Sequence, residues 1–138
     1  MNLESAIHPT EEQIKRLIEE YPQETPVVMI NILRFKERVD SSQEEGKAAY
    51  ERYGKNVLPY LKRVGARLLW RGNVRNIIIG KEKHPPHVVL LVEYPSVSKF
   101  VEMITNPEYI KIANDRTIAL EYGGLLAAES TYKLFEDS

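Results

Sequence analysis

PVVMINILRFK, residues 26–36, is an apolar run interrupted once, by the amide of Asn31, and closed by Arg34 and Lys36. Strand parity places Val27, Met29, Asn31, Leu33 and Phe35 on one face and Val28, Ile30, Ile32 and Arg34 on the other. Both faces are mostly apolar, the mark of a strand covered on both sides. An amide inside such a strand either finds hydrogen-bond partners or costs roughly 1–3 kcal/mol. Asn31 therefore either locks the sheet together or faces a cavity where a ligand meets it.

Working outward, a helix is expected over about Glu11–Tyr21, with Thr10 and Gln13 spaced as a capping box and Ile14, Leu17 and Ile18 as its stripe. After the strand and a polar connection from Arg38 to Glu45, a long helix runs from about Gly46 to Val64. Ala49, Tyr50, Tyr53, Val57, Leu58 and Leu61 form its buried side. Gly54 weakens this helix, Pro59 should bend or divide it near Lys55, and Gly65 suits its C-terminal cap. Arg67–Arg71 reads as a second strand, Asn76–Ile79 as a short extension, and His87–Tyr94 (HVVLLVEY) as a third core strand. Ser96 caps the next helix, and Asn106-Pro107-Glu108 restarts it as a segment running to Tyr122. Gly123-Gly124 reads as its stop, and Leu125–Tyr132 as the last strand.

The order is a helix followed by β-α-β-β-α-β, the split-βαβ, ferredoxin-like arrangement of an α+β domain. Right-handed crossovers put the helices on one face of a four-stranded antiparallel sheet, with the first strand between the third and fourth. The other face has no helix to cover it, yet the core strands are apolar on both sides. A second copy packed sheet to sheet resolves this, so a homodimer is expected. The expected division is an N-terminal helical extension at 1–25, the domain at 26–133 and a polar tail at 134–138.

The 138 residues suit one domain with a real core. Nineteen basic and 20 acidic residues leave a net charge of −1, which gives no electrostatic case for nucleic acid or an anionic membrane. The absence of cysteine removes disulfides, thiolate zinc sites and thiol nucleophiles. No apolar run approaches a membrane span of about 18 residues, and MNLESAIHPTEEQ has no signal-peptide pattern. The expected location is the cytoplasm.

PVVMINILRFK, GKAAYERYG, VGARLLWRG and VVLLVEYPSVSKFVEMITNPEYIKIANDRTIALEYGGLLAAEST, in that order from Pro26 to Thr131, resemble the domain-of-unknown-function 1330 (DUF1330) family. The resemblance implies membership of the dimeric α/β-barrel superfamily, whose protomers pair through their sheets and hold a pocket between sheet and helices. That superfamily includes cofactor-free monooxygenases, small-lactone isomerases and haem-degrading enzymes. The helix that carries a haem-ligating histidine in the last group corresponds here to 96–122 and contains none.

Each candidate site residue has a functional and a structural reading. Asn31 could hold a carbonyl or enolate-like oxygen, or satisfy the backbone. Arg34 offers a bidentate carboxylate fork, or an ion pair at the strand end with Glu93 or Glu129. Tyr50 and Tyr53, one turn apart, bring two hydroxyls over the sheet, or simply pack. Tyr109 joins them as a ligand-binding candidate. Trp70, the single tryptophan, either stacks on a planar ligand or anchors the core or dimer. Arg116, in an apolar-striped helix, wants a carboxylate, either Glu93 or a bound acid. Glu93 and Glu129 are the acid–base candidates.

The expected catalytic set is Asn31, Glu93 and Arg116; the expected ligand-binding set is Arg34, Tyr50, Tyr53, Trp70 and Tyr109. His84 and His87 flank Pro85-Pro86, which prevents a helical metal-binding pair, so no metal and no cofactor are expected. The combined reading is a homodimer with a helix–sheet pocket for a small acidic or carbonyl-bearing molecule, acting as a cofactor-independent monooxygenase or isomerase. Its rivals are a non-catalytic binding module and a purely structural dimer.

Overall fold

The computed structural model describes residues 6–132; the tail at 134–138 lies outside them. The elements are α1 (Glu11–Glu20), β1 (Val27–Phe35), α2 (Gly46–Arg63), β2 (Arg67–Asn73), β3 (Val88–Tyr94), α3 (Val97–Ile104), α4 (Pro107–Ala119) and β4 (Leu120–Ala128). The four strands form one antiparallel sheet in the order β2-β3-β1-β4. This is the ferredoxin-like topology read from the sequence.

The helix signals act as written. Thr10 and Gln13 close a reciprocal capping box on α1. Ser96 Oγ accepts the Lys99 N–H at the start of α3, and Asn106 Oδ1 accepts the Glu108 N–H at the start of α4. Gly65 takes the left-handed conformation, φ 77°, just past α2.

Four expectations are corrected. Pro59 does not divide α2, which is one helix; Lys55, whose carbonyl loses its partner, is exposed and open to water. Asn76–Ile79 is not a strand. The ladder ends where the Val74 N–H bonds the His87 carbonyl, and among the described residues β2 is an edge strand paired only with β3. Helix α4 ends at Ala119, not Tyr122, because Leu120 is already extended (φ −109°, ψ 136°) and opens β4. Gly123-Gly124 therefore lies inside a strand. At Gly123 a Cβ would come within 2.7 Å of Leu120 Cδ1 and 2.8 Å of Arg116 Nη2, so glycine lets the guanidinium lie against the sheet.

Parity now has a direction. Val27, Met29, Leu33 and Phe35 of β1 join Val88, Val92 and Tyr94 of β3 in a core closed by Ala49, Tyr53 and Val57 of α2, by Phe100 and Met103 of α3, and by Tyr109 of α4. The register puts Ile30 beside Leu91 and Leu126, and Ile32 beside Val89, on the opposite face. Trp70 pairs with Leu91 on that face and lies across Gly72. None of these six side chains packs on the core; Trp70 is 54% and Leu126 44% exposed.

The N-terminal segment binds the domain rather than the open face. Leu17 and Tyr21 pack against the core, and the Tyr21 hydroxyl donates to the Pro26 carbonyl at 2.7 Å. The Ala6 carbonyl accepts the Gly123 N–H at 2.6 Å, covering part of the β4 edge.

Candidate functional site

The eight predicted site residues divide between the two sheet faces. Asn31, Tyr50, Tyr53, Tyr109 and Arg116 lie on the helix side; Arg34, Glu93 and Trp70 alternate to the other. The helix-side group is largely self-satisfied. Asn31 Nδ2 donates to the Met29 carbonyl of its own strand at 3.3 Å. The Tyr53 and Tyr109 hydroxyls are 2.9 Å apart, and the Tyr50 and Tyr53 rings pack at 5.5 Å between centroids. Burial, with Tyr109 beside it, pushes the Tyr53 hydroxyl well above the ordinary tyrosine range, so it stays protonated.

The expected charge partners are also corrected. Arg116 is not paired with Glu93: it donates from Nη1 to the Ile7 carbonyl at 2.9 Å and from Nη2 to the Gly123 carbonyl at 3.3 Å. Glu93 is paired with Arg67 of β2, at 3.0 Å from Nε and 2.9 Å from Nη2. Paired in this way, the Glu93 carboxylate straps β2 to β3. Arg34 pairs with Glu121 at 2.7 Å, because the irregularity between Arg34 and Phe35 brings the start of β4 alongside it.

The converging polar groups lie instead at the C-terminal end of β1. There a cleft of about 600 Å³ is lined by Arg34, Phe35, Lys36, Asn73, His87 and Glu121, together with Glu37, Arg38, Glu45, Lys47 and Val88. Four strands or their adjoining loops meet here, as does the start of α2. A more open apolar groove runs along α1 past Ile14 and Ile18 and brings no such convergence.

His87 lines this cleft and is absent from the candidates that the sequence offers as ligand-binding or catalytic residues. The one available signal was its place immediately before the β3 run. Its Nδ1 accepts the Phe35 N–H at 3.1 Å, and its ring packs on Phe35. Arg34 Nη1 lies 3.2 Å from its Nε2 and donates to the Pro85 carbonyl at 2.7 Å. Desolvation first, and then the Arg34 charge, hold His87 below the ordinary histidine pKa.

Folding thus keeps the ring neutral, and unfolding takes up a proton in mild acid. The stabilisation is complete above about pH 6.5 and is lost as pH falls through the lowered value. The wild type should lose melting temperature as pH falls below about 6.5, and His87→Gln should show a flatter profile there by differential scanning calorimetry. Parallel profiles would remove the linkage.

The fold and this end-on cleft define a ferredoxin-like α+β protein. Residues 40–129 match the model of the Domain of unknown function (DUF1330), and the chain belongs to that family. It is 31% identical to the RPA0582 protein of unknown function from Rhodopseudomonas palustris; the match covers 94% of this chain and 99% of that one, with a TM-score of 0.86.

More distant structures share the fold. A dimeric protein of unknown function and ferredoxin-like fold from Bacteroides fragilis is 14% identical, covering 79% of this chain and all of that one (100%), with a TM-score of 0.54. SnoaB, a cofactor-independent oxygenase from Streptomyces nogalater, is 12% identical, covering 81% and 99%, also with a TM-score of 0.54. No curated protein matches the sequence. No described helix is long and apolar enough to cross a membrane.

Proposed function

We propose that this protein is a homodimer joined through the helix-free face of its sheet, and that each copy binds a small organic acid or carbonyl compound in the cleft at the end of β1. The observation that carries the binding reading is the convergence of Arg34, His87 and Asn73 on a cleft of about 600 Å³, within the usual range for small-molecule sites. The dimer rests on the helix-free face, where Trp70 and Leu126 are exposed and Ile30, Ile32, Val89 and Leu91 half-buried, and is supported by the dimeric relative of the same fold.

The fold carries cofactor-independent oxygenation in SnoaB. Comparable chemistry here would need a proton acceptor beside the ligand. Glu121 is held by Arg34, Glu37 and Glu45 are exposed, and His87 has committed Nδ1 to the backbone. Binding without turnover is therefore the reading the cleft favours over catalysis. The helix-side residues Asn31, Tyr50, Tyr53, Tyr109 and Arg116 are assigned to the architecture.

A thermal-shift screen of small acids, ketones and aldehydes against wild type and Asn73→Trp tests this. Compounds that raise the wild-type melting temperature should lose that effect when tryptophan fills the cleft. Shifts that survive the substitution, or a broad panel without a shift, would refute the assignment.

A further inference from the structure

We infer that Arg34 and His87 form a carboxylate clamp, with Nη1 of Arg34 and Nε2 of His87 donating side by side to one ligand carboxylate. This rests on the cleft being a binding site, and it names the group the cleft selects.

The clamp follows from the histidine tautomer. A neutral imidazole has one donor and one acceptor nitrogen. The Phe35 N–H donates to Nδ1 at 3.1 Å, so Nδ1 is the acceptor and the ring proton sits on Nε2. The atom 3.2 Å from Nε2 is Arg34 Nη1, which has only hydrogens to offer. Two donors cannot bond to each other.

One Nη1 hydrogen goes to the Pro85 carbonyl at 2.7 Å. The other, the Nε2–H of His87 and both hydrogens of Nη2 have no protein acceptor among the described residues. Both side chains line the cleft. An oxygen accepting from two donors 3.2 Å apart can sit within ordinary hydrogen-bond distance of each, and a carboxylate brings a second oxygen for Nη2.

The arrangement is built rather than incidental. Glu121 takes the Nε edge of Arg34 at 2.7 Å, and the Pro85 carbonyl fixes Nη1, so the guanidinium is aimed and its far edge is left for a ligand. The Arg34 side chain is only 21% exposed, so a carboxylate there is met by a partly desolvated charge.

The surrounding charges favour an anion. The lining carries four cations, Arg34, Lys36, Arg38 and Lys47, against three carboxylates, Glu37, Glu45 and Glu121. Lys36 is occupied by Asp40 at 3.1 Å and Arg38 by Glu45 at 3.9 Å; among the described residues Lys47 has no ion-pair partner. The imidazole also cannot serve as a base in this state, since its acceptor nitrogen is spoken for. The clamp is a device for holding an acid rather than for removing a proton.

The test is calorimetric titration of the full chain with benzoate and pyruvate, each against its neutral amide, benzamide and pyruvamide, together with nitrogen-15 NMR of the histidine ring. Each carboxylate should bind roughly tenfold or more tightly than its amide. Arg34→Lys, which keeps the charge but removes the fork, and His87→Ala should each lose about that factor for carboxylates and leave the amides unchanged. In the wild type, the ring of His87 should show the Nε2–H tautomer, and its proton should shift downfield on adding benzoate.

Amides that bind as tightly as acids, with Asn73→Trp abolishing both, would overturn the clamp and leave the cleft assignment standing. No binding of either class would overturn both. A ring protonated on Nδ1 would overturn the clamp without any variant.

Discussion

Replacing Gly46 with alanine is expected to lower the stability of this protein by at least about 3 kcal/mol, near or beyond the upper end of overpacking costs, and the melting temperature by on the order of 10 °C. Gly46 opens α2 where three elements cross. Its N–H donates to the Lys36 carbonyl at 3.1 Å, and the Lys36 N–H donates to the Ala119 carbonyl at 2.9 Å. A Cβ at Gly46 would stand 2.5 Å from the Ala119 oxygen and 2.8 Å from the Lys36 nitrogen, and closer still to the Lys36 oxygen. These are backbone atoms, so no side chain can swing aside. The chain end of β1, the first turn of α2 and the α4–β4 junction would all have to part.

Gly54 in the same helix is the matched control. A Cβ there meets nothing within 4 Å, so Gly54→Ala should stabilise by about 0.5–1 kcal/mol through helix propensity alone. Denaturant titration of the two variants checks both signs. A Gly46→Ala protein as stable as wild type would mean that the three-way junction is looser than described.

The second large effect concerns the open sheet face. The wild type should sediment as a dimer at micromolar concentration, and Leu126→Asp should weaken the dimer at least about a hundredfold, since an unpaired charge buried at an interface costs about 3 kcal/mol or more. Leu126 is 44% exposed and outside the core, so the variant should remain folded, with an unchanged circular dichroism spectrum. Trp70→Ala should weaken association in the same direction through loss of a large aromatic contact. Sedimentation equilibrium of the three proteins decides the matter: a folded wild-type monomer at these concentrations would sink the dimer, and with it the account of why both sides of β1 are apolar.

Much of the fold was legible because the signals are local. The Thr10–Gln13 box, Ser96, Asn106-Pro107 and Gly65 each satisfy or end a helix through atoms within a few residues. The errors fell where a distant group decided. Gly123-Gly124 looks like a helix stop until β1 is seen pairing with it, Leu33 beside Gly123 and Ile32 beside Gly124. Ile78 and Ile79 read as a strand, but they are 87% and 95% exposed, and no strand among the described residues pairs with them.

The site was less legible than the fold. Arg34 was identified, but its partners Glu121, Pro85 and His87 lie 51–87 residues away along the chain. Glu93 reads in sequence as an acid–base candidate, because the sequence does not reveal that Arg67 stands across from it in the neighbouring strand.

By itself, then, the sequence determined the order of the core strands and helices and the two apolar faces of β1, since periodicity and capping are properties of neighbouring residues. Tertiary structure alone decided which face the helices take, which ion pairs form and where a cleft opens, because those depend on side chains brought together by packing from across the chain.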